Sequence, residues 1–476
     1  MMLIKGAIVH RGSAAGENHL SVKDILVEEG LVTRVESSIE PAPGMEIINA
    51  SGLIAIPGLV NAHTHSTHGL LRGVPADLPL ELWMLQSLLL PLPDDAELSK
   101  LVVLAGAAEM IRSGVTAVVD HVRLPNQTEP AGIIPVVEAY QRAGIRAKVA
   151  PLVRDLPYVS TLPFDVPSWV KEKLEDGRLS AAKIGSALDE MAGWFKGRPS
   201  RVGMMLGPST PDRCSADLLR KTKELADKHS LGITMHFVES RRSSDSCRKV
   251  HGRSAVAVLE DTGLLSPDLN LSLVHAVHID DPGIDAVAAA GASVVHCPVS
   301  NLRLGNGPAP VRRLLDAGVN VALGTDGLGT GGSESMFGPL RMASLLHRND
   351  PDYRKWVTAA EAFRMATLGG AAIVSRGGQS KGLELGARAD IVLLDGSSLP
   401  LMPLNNLVEQ VAYSADSSCV RTVIVDGKAI FLNGKMIAFD EQGLMDEIHS
   451  RWRHRIRHLV TFLEEPWPSL FLDEKK

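Results

Sequence analysis

The stretch Pro57-Gly58-Leu59-Val60-Asn61-Ala62-His63-Thr64-His65 puts two imidazoles two residues apart at the end of an apolar run. Side chains two apart on a strand leave the same face, and the residues from Leu53 to Val60 are apolar enough for that strand to be buried. Imidazole nitrogen is a common ligand for zinc and its neighbours, so the pair is half of a metal site. A motif this short also occurs on ordinary surfaces, and its weight depends on what the rest of the chain brings to the same place. The other residues able to contribute are His236 and Glu239 in His236-Phe237-Val238-Glu239-Ser240, His275 after Leu273-Val274, and Asp326 in Leu323-Gly324-Thr325-Asp326-Gly327.

Each of these sits at the end of a short apolar run. Such runs occur at 115–120, 145–151, 202–208, 232–237, 270–276, 293–298 and 319–326, and with the one ending at His63 they make eight. Stretches of helical periodicity separate them, at 97–112, 181–195, 216–229 and 310–317 among others. Strands alternating with helices predict an α/β fold, a closed (β/α)₈ TIM-like barrel over 56–384, with a doubly wound open sheet as the alternative. In a barrel the carboxyl ends of all strands meet on one face. That face would gather four imidazoles and a carboxylate, with Glu239 close enough to reach the same pocket.

The two chain ends read differently. Runs at 3–10, 24–36, 389–394 and 421–435 have strand character, with Asp426-Gly427 and Asn433-Gly434 as hairpin turns. None could bury a face alone, which predicts one small β-sandwich domain built from 1–55 and 385–440. The remaining 441–476 reads as an amphipathic helical extension, with Ile448, Trp452, Ile456, Val460 and Leu463 at helical spacing and arginines between them.

The 476 residues, 45% hydrophobic and 22% charged, are ordinary for a globular protein with a large core. A net charge of -6 argues against a protein that grips nucleic-acid phosphates. The apolar stretch at 80–92 is interrupted by Glu81, Gln86 and Pro91, short of the roughly 18 residues of a membrane span. No secretory signal pattern opens the chain, so a cytoplasmic location is expected. Cys214, Cys247, Cys297 and Cys419 form no Cys-x-x-Cys pair, which leaves histidine and carboxylate as the means of holding a metal.

The set His63-Thr64-His65, His236-Phe237-Val238-Glu239, Leu273-Val274-His275-Ala276-Val277-His278, His296-Cys297-Pro298-Val299-Ser300-Asn301 and Gly324-Thr325-Asp326 resembles the amidohydrolase superfamily. Within it the match is to the branch of cytosine deaminases, adenosylhomocysteine and methylthioadenosine deaminases, and triazine hydrolases. The resemblance runs over almost the whole chain, including Leu70-Leu71-Arg72-Gly73 and Gly386-Ala387-Arg388-Ala389-Asp390. It implies that His63, His65, His236 and Asp326 hold one divalent metal per subunit, expected to be Zn²⁺, with Fe²⁺, Mn²⁺ or Co²⁺ as alternatives. A cation with an open position makes water reactive near neutral pH. Glu239 would carry a proton to a ring nitrogen, His275 would orient the water, and Asp326 would double as proton acceptor. The implied activity is hydrolytic deamination of an amino-substituted nitrogen heterocycle, a small-molecule substrate. The alternatives are loss of another leaving group, such as triazine chloride or an alkylamine, and a scaffold without chemistry.

Relatives with two metals carry a lysine at the end of strand four. Here that region reads Met205-Leu206-Gly207-Pro208-Ser209-Thr210, which favours one metal. Nucleoside deaminases of the branch usually have Gly-Pro-His where this chain has Gly207-Pro208-Ser209, a departure that points away from an adenosine-type nucleoside. His121 resembles relatives acting on bare heterocycles or triazines. Arg72, Trp83, His121, Ser209 and Arg213 are the candidates for substrate contact, and the expected assembly is a homodimer or higher homo-oligomer.

Overall fold

The computed structural model describes residues 1–10, 20–74, 77–90, 95–162, 164–174, 179–197, 201–348, 350–375 and 382–453. Its architecture is mixed α/β, with a terminal sheet and two sets of parallel strands.

The terminal sheet has nine strands drawn from both ends of the chain. Leu53–Pro57 sits at the junction: it runs parallel to Met2–His10 on one side and antiparallel to Ile391–Asp395 on the other, in the register Ile391↔Pro57 to Asp395↔Leu53. The C-terminal chain thereby covers an edge whose N–H and C=O groups would otherwise be unpaired. Ile4, Val9, Ile25, Ala55, Ile391, Leu393 and Ile424 pack together in its core. Both expected hairpins form, Val420–Val425 with Lys428–Leu432 and the latter with Lys435–Met436. Asp426, Gly427, Asn433 and Gly434 all adopt the positive φ that such turns need.

The run from Leu53 to Val60, read above as one strand, is two. Leu53–Pro57 belongs to the terminal sheet and Leu59–Thr64 to the parallel strands, with Gly58 between them. A Cβ at Gly58 would lie 2.1 Å from Thr116 Oγ1, so only glycine lets the chain pass here.

From Leu59–Thr64 onward the parallel strands follow in chain order: Val115–Val122, Arg146–Val153, and a fourth broken into Val202–Met204 and Gly207–Pro208. Then come Ile233–Phe237, Leu271–His275, Ser293–His296 and Asn320–Leu323. A parallel bridge between Leu206 and Ile233 joins the two sets. Beyond the last strand, the Asp326 N–H donates to the His63 carbonyl at 3.0 Å, which returns the hydrogen bonding to the first. Helices Ala181–Phe195 and Ala216–His229 lie where their periodicity predicts, each opened by a serine side chain accepting a backbone N–H.

The extension begins as a helix, Glu441–Arg453, with Leu444 and Ile448 on the main core and Trp452 against the cluster of Leu71, Leu80, Trp83, Leu90 and Leu304. Ile456, Val460 and Leu463 lie outside the described residues. One helical stretch, Tyr353–Val374, is long and apolar enough to cross a membrane, and it is mostly buried inside the protein.

Candidate metal centre

His63, His65, His236 and Asp326 each offer one ligand atom, and these atoms all lie within 4.8 Å of one another. His63 Nε2 is 3.1 Å from Asp326 Oδ1, and His65 Nε2 is 3.5 Å from the same oxygen. His65 Nε2 and His236 Nε2 face each other at 3.1 Å. Their tautomers follow from their other nitrogens. His65 Nδ1–H donates to the His121 carbonyl at 2.6 Å and His236 Nδ1–H to the Ser209 carbonyl at 2.9 Å. A carbonyl only accepts, so the proton of each neutral ring is on Nδ1 and each Nε2 presents a bare lone pair. Two lone pairs at this distance repel unless an electrophile lies between them, and carbonyl-held imidazoles are the usual support of metal ligands.

The electrostatics agree. Burial holds His63 down at about 4 and His236 well below its ordinary value, so both are neutral and able to ligate. Burial alone would raise Asp326, but His275, His63 and His65 around it keep the carboxylate well below the usual range. The residues present therefore fit a divalent cation.

A second group shares Asp326. His275 Nε2 lies 3.6 Å from Glu239 Oε2 and 4.0 Å from Asp326 Oδ1. Asn301 Oδ1 holds the other His275 nitrogen at 2.8 Å, and Asn306 Nδ2 donates to Glu239 Oε1 at 2.9 Å. Burial pushes Glu239 up to about 7, the range of a group that both takes and gives a proton near neutrality. Val238, His275, Ala276 and Asp326 all have positive φ. Three strands thus leave their extended path at the site itself, where non-glycine residues in this conformation store strain.

The candidates for substrate contact fare unequally. His121 is fully buried, stacked on His236 at 4.8 Å between ring centroids, with its Nε2 3.0 Å from the Gly207 carbonyl. It lies behind the ligands and supports them. Ser209 is buried and serves through its backbone, its carbonyl fixing His236. Trp83 is packed in an apolar cluster, 6.0 Å from the ring of His68. Arg72 is half-exposed and paired with Glu109, outside the group of ligands. The Arg213 guanidinium lies over the Tyr158 ring at 4.6 Å.

Sequence reasoning did not single out Asn301, Asn306, His68, Asp120 or Glu334. Asn301 ends the motif that carries His296, so a signal for it existed. His68 faces His65 at 4.8 Å between ring centroids. Asp120 accepts from Ser66 and Tyr140 at the foot of the loop after His65. Glu334 lies in a loop of glycines and serines and no local pattern marks it.

The amidohydrolase family profile matches residues 54–430, well over half of the chain. The chain belongs to the amidohydrolase family. This amidohydrolase is 31% identical to a 5-methylthioadenosine/S-adenosylhomocysteine deaminase of Caldicellulosiruptor saccharolyticus, over 94% of this chain and 97% of that one. It is 30% identical to a 5'-deoxyadenosine deaminase of Methanosarcina mazei, over 89% and 91% of the two chains. Among solved structures, a zinc-bound adenosine deaminase from Xanthomonas campestris matches with a TM-score of 0.83 and 27% identity, covering 96% of this chain and 98% of that one. The zinc complex of atrazine chlorohydrolase from Arthrobacter aurescens shares the fold, with a TM-score of 0.82 at 24% identity and coverage of 94% and 99%.

Proposed function

We propose that this amidohydrolase hydrolytically deaminates an amino-substituted nitrogen heterocycle, with His63, His65, His236 and Asp326 holding one zinc ion. One observation carries the reading: two imidazoles with bare Nε2 atoms meet Asp326, and Glu239, raised to about 7, shares a pocket with it. A divalent cation held by these four residues would supply the activation of water near neutral pH. Glu239 would be the group that moves a proton from the attacking water to a ring nitrogen, which makes the adjacent carbon electrophilic. His275, held by Asn301, orients the attacking oxygen, and Asp326 accepts its remaining proton. Asp326 would then pass that proton to the departing amino group, so that the C–N bond breaks with release of ammonia and the carbon keeps the water oxygen. The absence of lysine at the break of the fourth strand, Met205-Leu206, supports a single metal.

The parallel strands are read as one closed (β/α)₈ barrel over 56–384, supported by the Leu206–Ile233 bridge and the Asp326–His63 bond, with the terminal sheet as the second domain over 1–55 and 385–440. The relatives named for adenosine derivatives support a purine-type substrate. Ser209 in Gly207-Pro208-Ser209, where the resemblance implies Gly-Pro-His for nucleoside deaminases of the branch, favours the bare or differently substituted heterocycle. The test is ammonia release by the zinc-loaded protein from pyrimidines, purines, 5'-modified adenosines, pterins and triazines, with product masses recorded. Ammonia from none of them would sink the proposal, and a product that keeps its amino group would establish another leaving group.

A further inference from the structure

Glu334 is a fully buried carboxylate that neither the ligand set nor the proton transfers above employ. It lies in the loop after the last parallel strand, and both of its oxygens are occupied. Oε1 accepts from the Thr64 hydroxyl at 2.8 Å, while Oε2 accepts from the Thr325 hydroxyl at 2.7 Å and from Asn61 Nδ2 at 3.0 Å. Asn61 is bound in turn to Thr325, through its Nδ2 at 2.8 Å and through the Thr325 N–H at 3.1 Å.

These three donors are neighbours of the ligands. Thr64 lies between His63 and His65, Asn61 two residues before His63, and Thr325 directly before Asp326. One carboxylate therefore joins the segment bearing two imidazole ligands to the segment bearing the carboxylate ligand. The loop itself is anchored at its other side, where the Glu334 N–H and the Ser333 hydroxyl both donate to Glu109 Oε1, at 3.1 and 2.7 Å. Glu109 also pairs with Arg72, which ties Arg72 to this network.

The anchored segment needs holding. Asp326 has a φ of 61°, a conformation that strains a non-glycine residue and persists only where its surroundings over-determine it. A buried carboxylate is a costly way to fill space, since an apolar side chain of similar volume needs no partners. What it provides is two acceptor oxygens shared by three donors from two separate segments, Asn61 and Thr64 on one and Thr325 on the other.

We propose that Glu334 is a positioning residue that clamps the His63–His65 segment and the Asp326 segment in the relative placement the metal requires. The inference rests on the metal reading above. The residues behind metal ligands typically contribute 10- to 100-fold in affinity, and that range sets the expectation of about 100-fold weaker binding in Glu334→Ala and about 10-fold in Glu334→Gln, which keeps one acceptor oxygen.

The test is zinc affinity of the full-length protein by competition with a chromophoric chelator, with the visible spectrum of the cobalt(II)-substituted protein as a second readout. Leu188→Ala, in the helix Ala181–Phe195 and part of the core, is the control for lost stability alone. The expected result is a graded loss of affinity from Gln to Ala and an altered cobalt spectrum in both, with the Leu188→Ala values unchanged from the unaltered protein. Thr64→Val removes a single one of the three bonds and is the second variant should Glu334→Ala not fold; a shifted cobalt spectrum is expected there as well. Affinity and spectrum equal to the unaltered protein in the Glu334 variants would overturn this inference alone. Failure of the unaltered protein to bind zinc or cobalt would overturn the metal reading and this inference with it.

Discussion

Two polar clusters lie at opposite ends of the parallel strands. At the carboxyl ends the ligand histidines, His275 and Glu239 crowd round Asp326, with His63 Nδ1 and His275 Nε2 buried and without a hydrogen-bond partner. At the amino ends Arg146 pairs with Asp390 and Asp426, and Arg201 and Arg388 converge on the same Asp426. There the carboxylates are shared among guanidiniums and the Asp426 N–H closes onto Asp390 at 2.8 Å. In the second cluster each carboxylate has at least one guanidinium partner, and it joins the parallel strands to the terminal sheet. The first is the group proposed to hold a divalent cation. Carboxylates are common to both ends, and the difference lies in whether they meet permanent guanidinium charges or neutral imidazoles.

The comparison breaks most severely at the ligands. His236→Ala should lose bound metal and turnover together, as read by elemental analysis beside an activity assay, because removing one ligand of the group changes both coordination and charge. Metal retained at full stoichiometry would remove His236 from the ligand set. Glu239→Gln should keep the metal and lose turnover by about 10² to 10⁴ fold, the range of a positioned proton shuttle. Unchanged kcat in that variant would end its assigned role.

At the other end the readout is stability. Arg146→Ala leaves Asp390 and Asp426 short of a cation in a largely buried place and should cost about 3 kcal/mol in denaturant unfolding, with kcat per folded molecule unchanged. A proportionate fall in kcat would show that the two ends are coupled. The smallest effect is on pH dependence, and the ends carry opposite signs. Burial pushes Glu334 up to about 7, so the folded protein holds a proton that the unfolded chain has released, and this contribution to stability is lost as pH rises from the ordinary carboxylate value to about 7. Partial burial would raise Asp426, but Arg146, Arg388 and Arg201 hold it low, so its contribution is present above the ordinary value and lost as pH falls through the folded one. Urea midpoints against pH should show a shallower neutral slope in Glu334→Gln, with the share from Glu239 remaining, and a change in the acid slope only in Asp426→Asn. The same slope lost in both would refute the assignment.

Much of this was legible in the chain. Period-two and helical patterns are local, and they placed the parallel strands, the hairpin turns at Asp426-Gly427 and Asn433-Gly434, and the helices Ala181–Phe195 and Ala216–His229. The ligands were legible for the same reason: each ends an apolar run, and strand ends meet on one face. The break at Gly58 was not, because it depends on Thr116, a residue distant in sequence that leaves no room for a Cβ.

What the sequence determined by itself was the list of groups and the strand ends that carry them, since residue type and periodicity need no partner to be read. Only the tertiary structure decided which nitrogen of His65 and His236 faces inward, because the carbonyls of His121 and Ser209 set the tautomers. It also decided that His121 and Arg72 stand behind or outside the ligands, and that Glu334 joins Asn61, Thr64 and Thr325. Those are contacts between segments remote in the chain, and hydrogen bonds of that kind leave no period or spacing in a sequence.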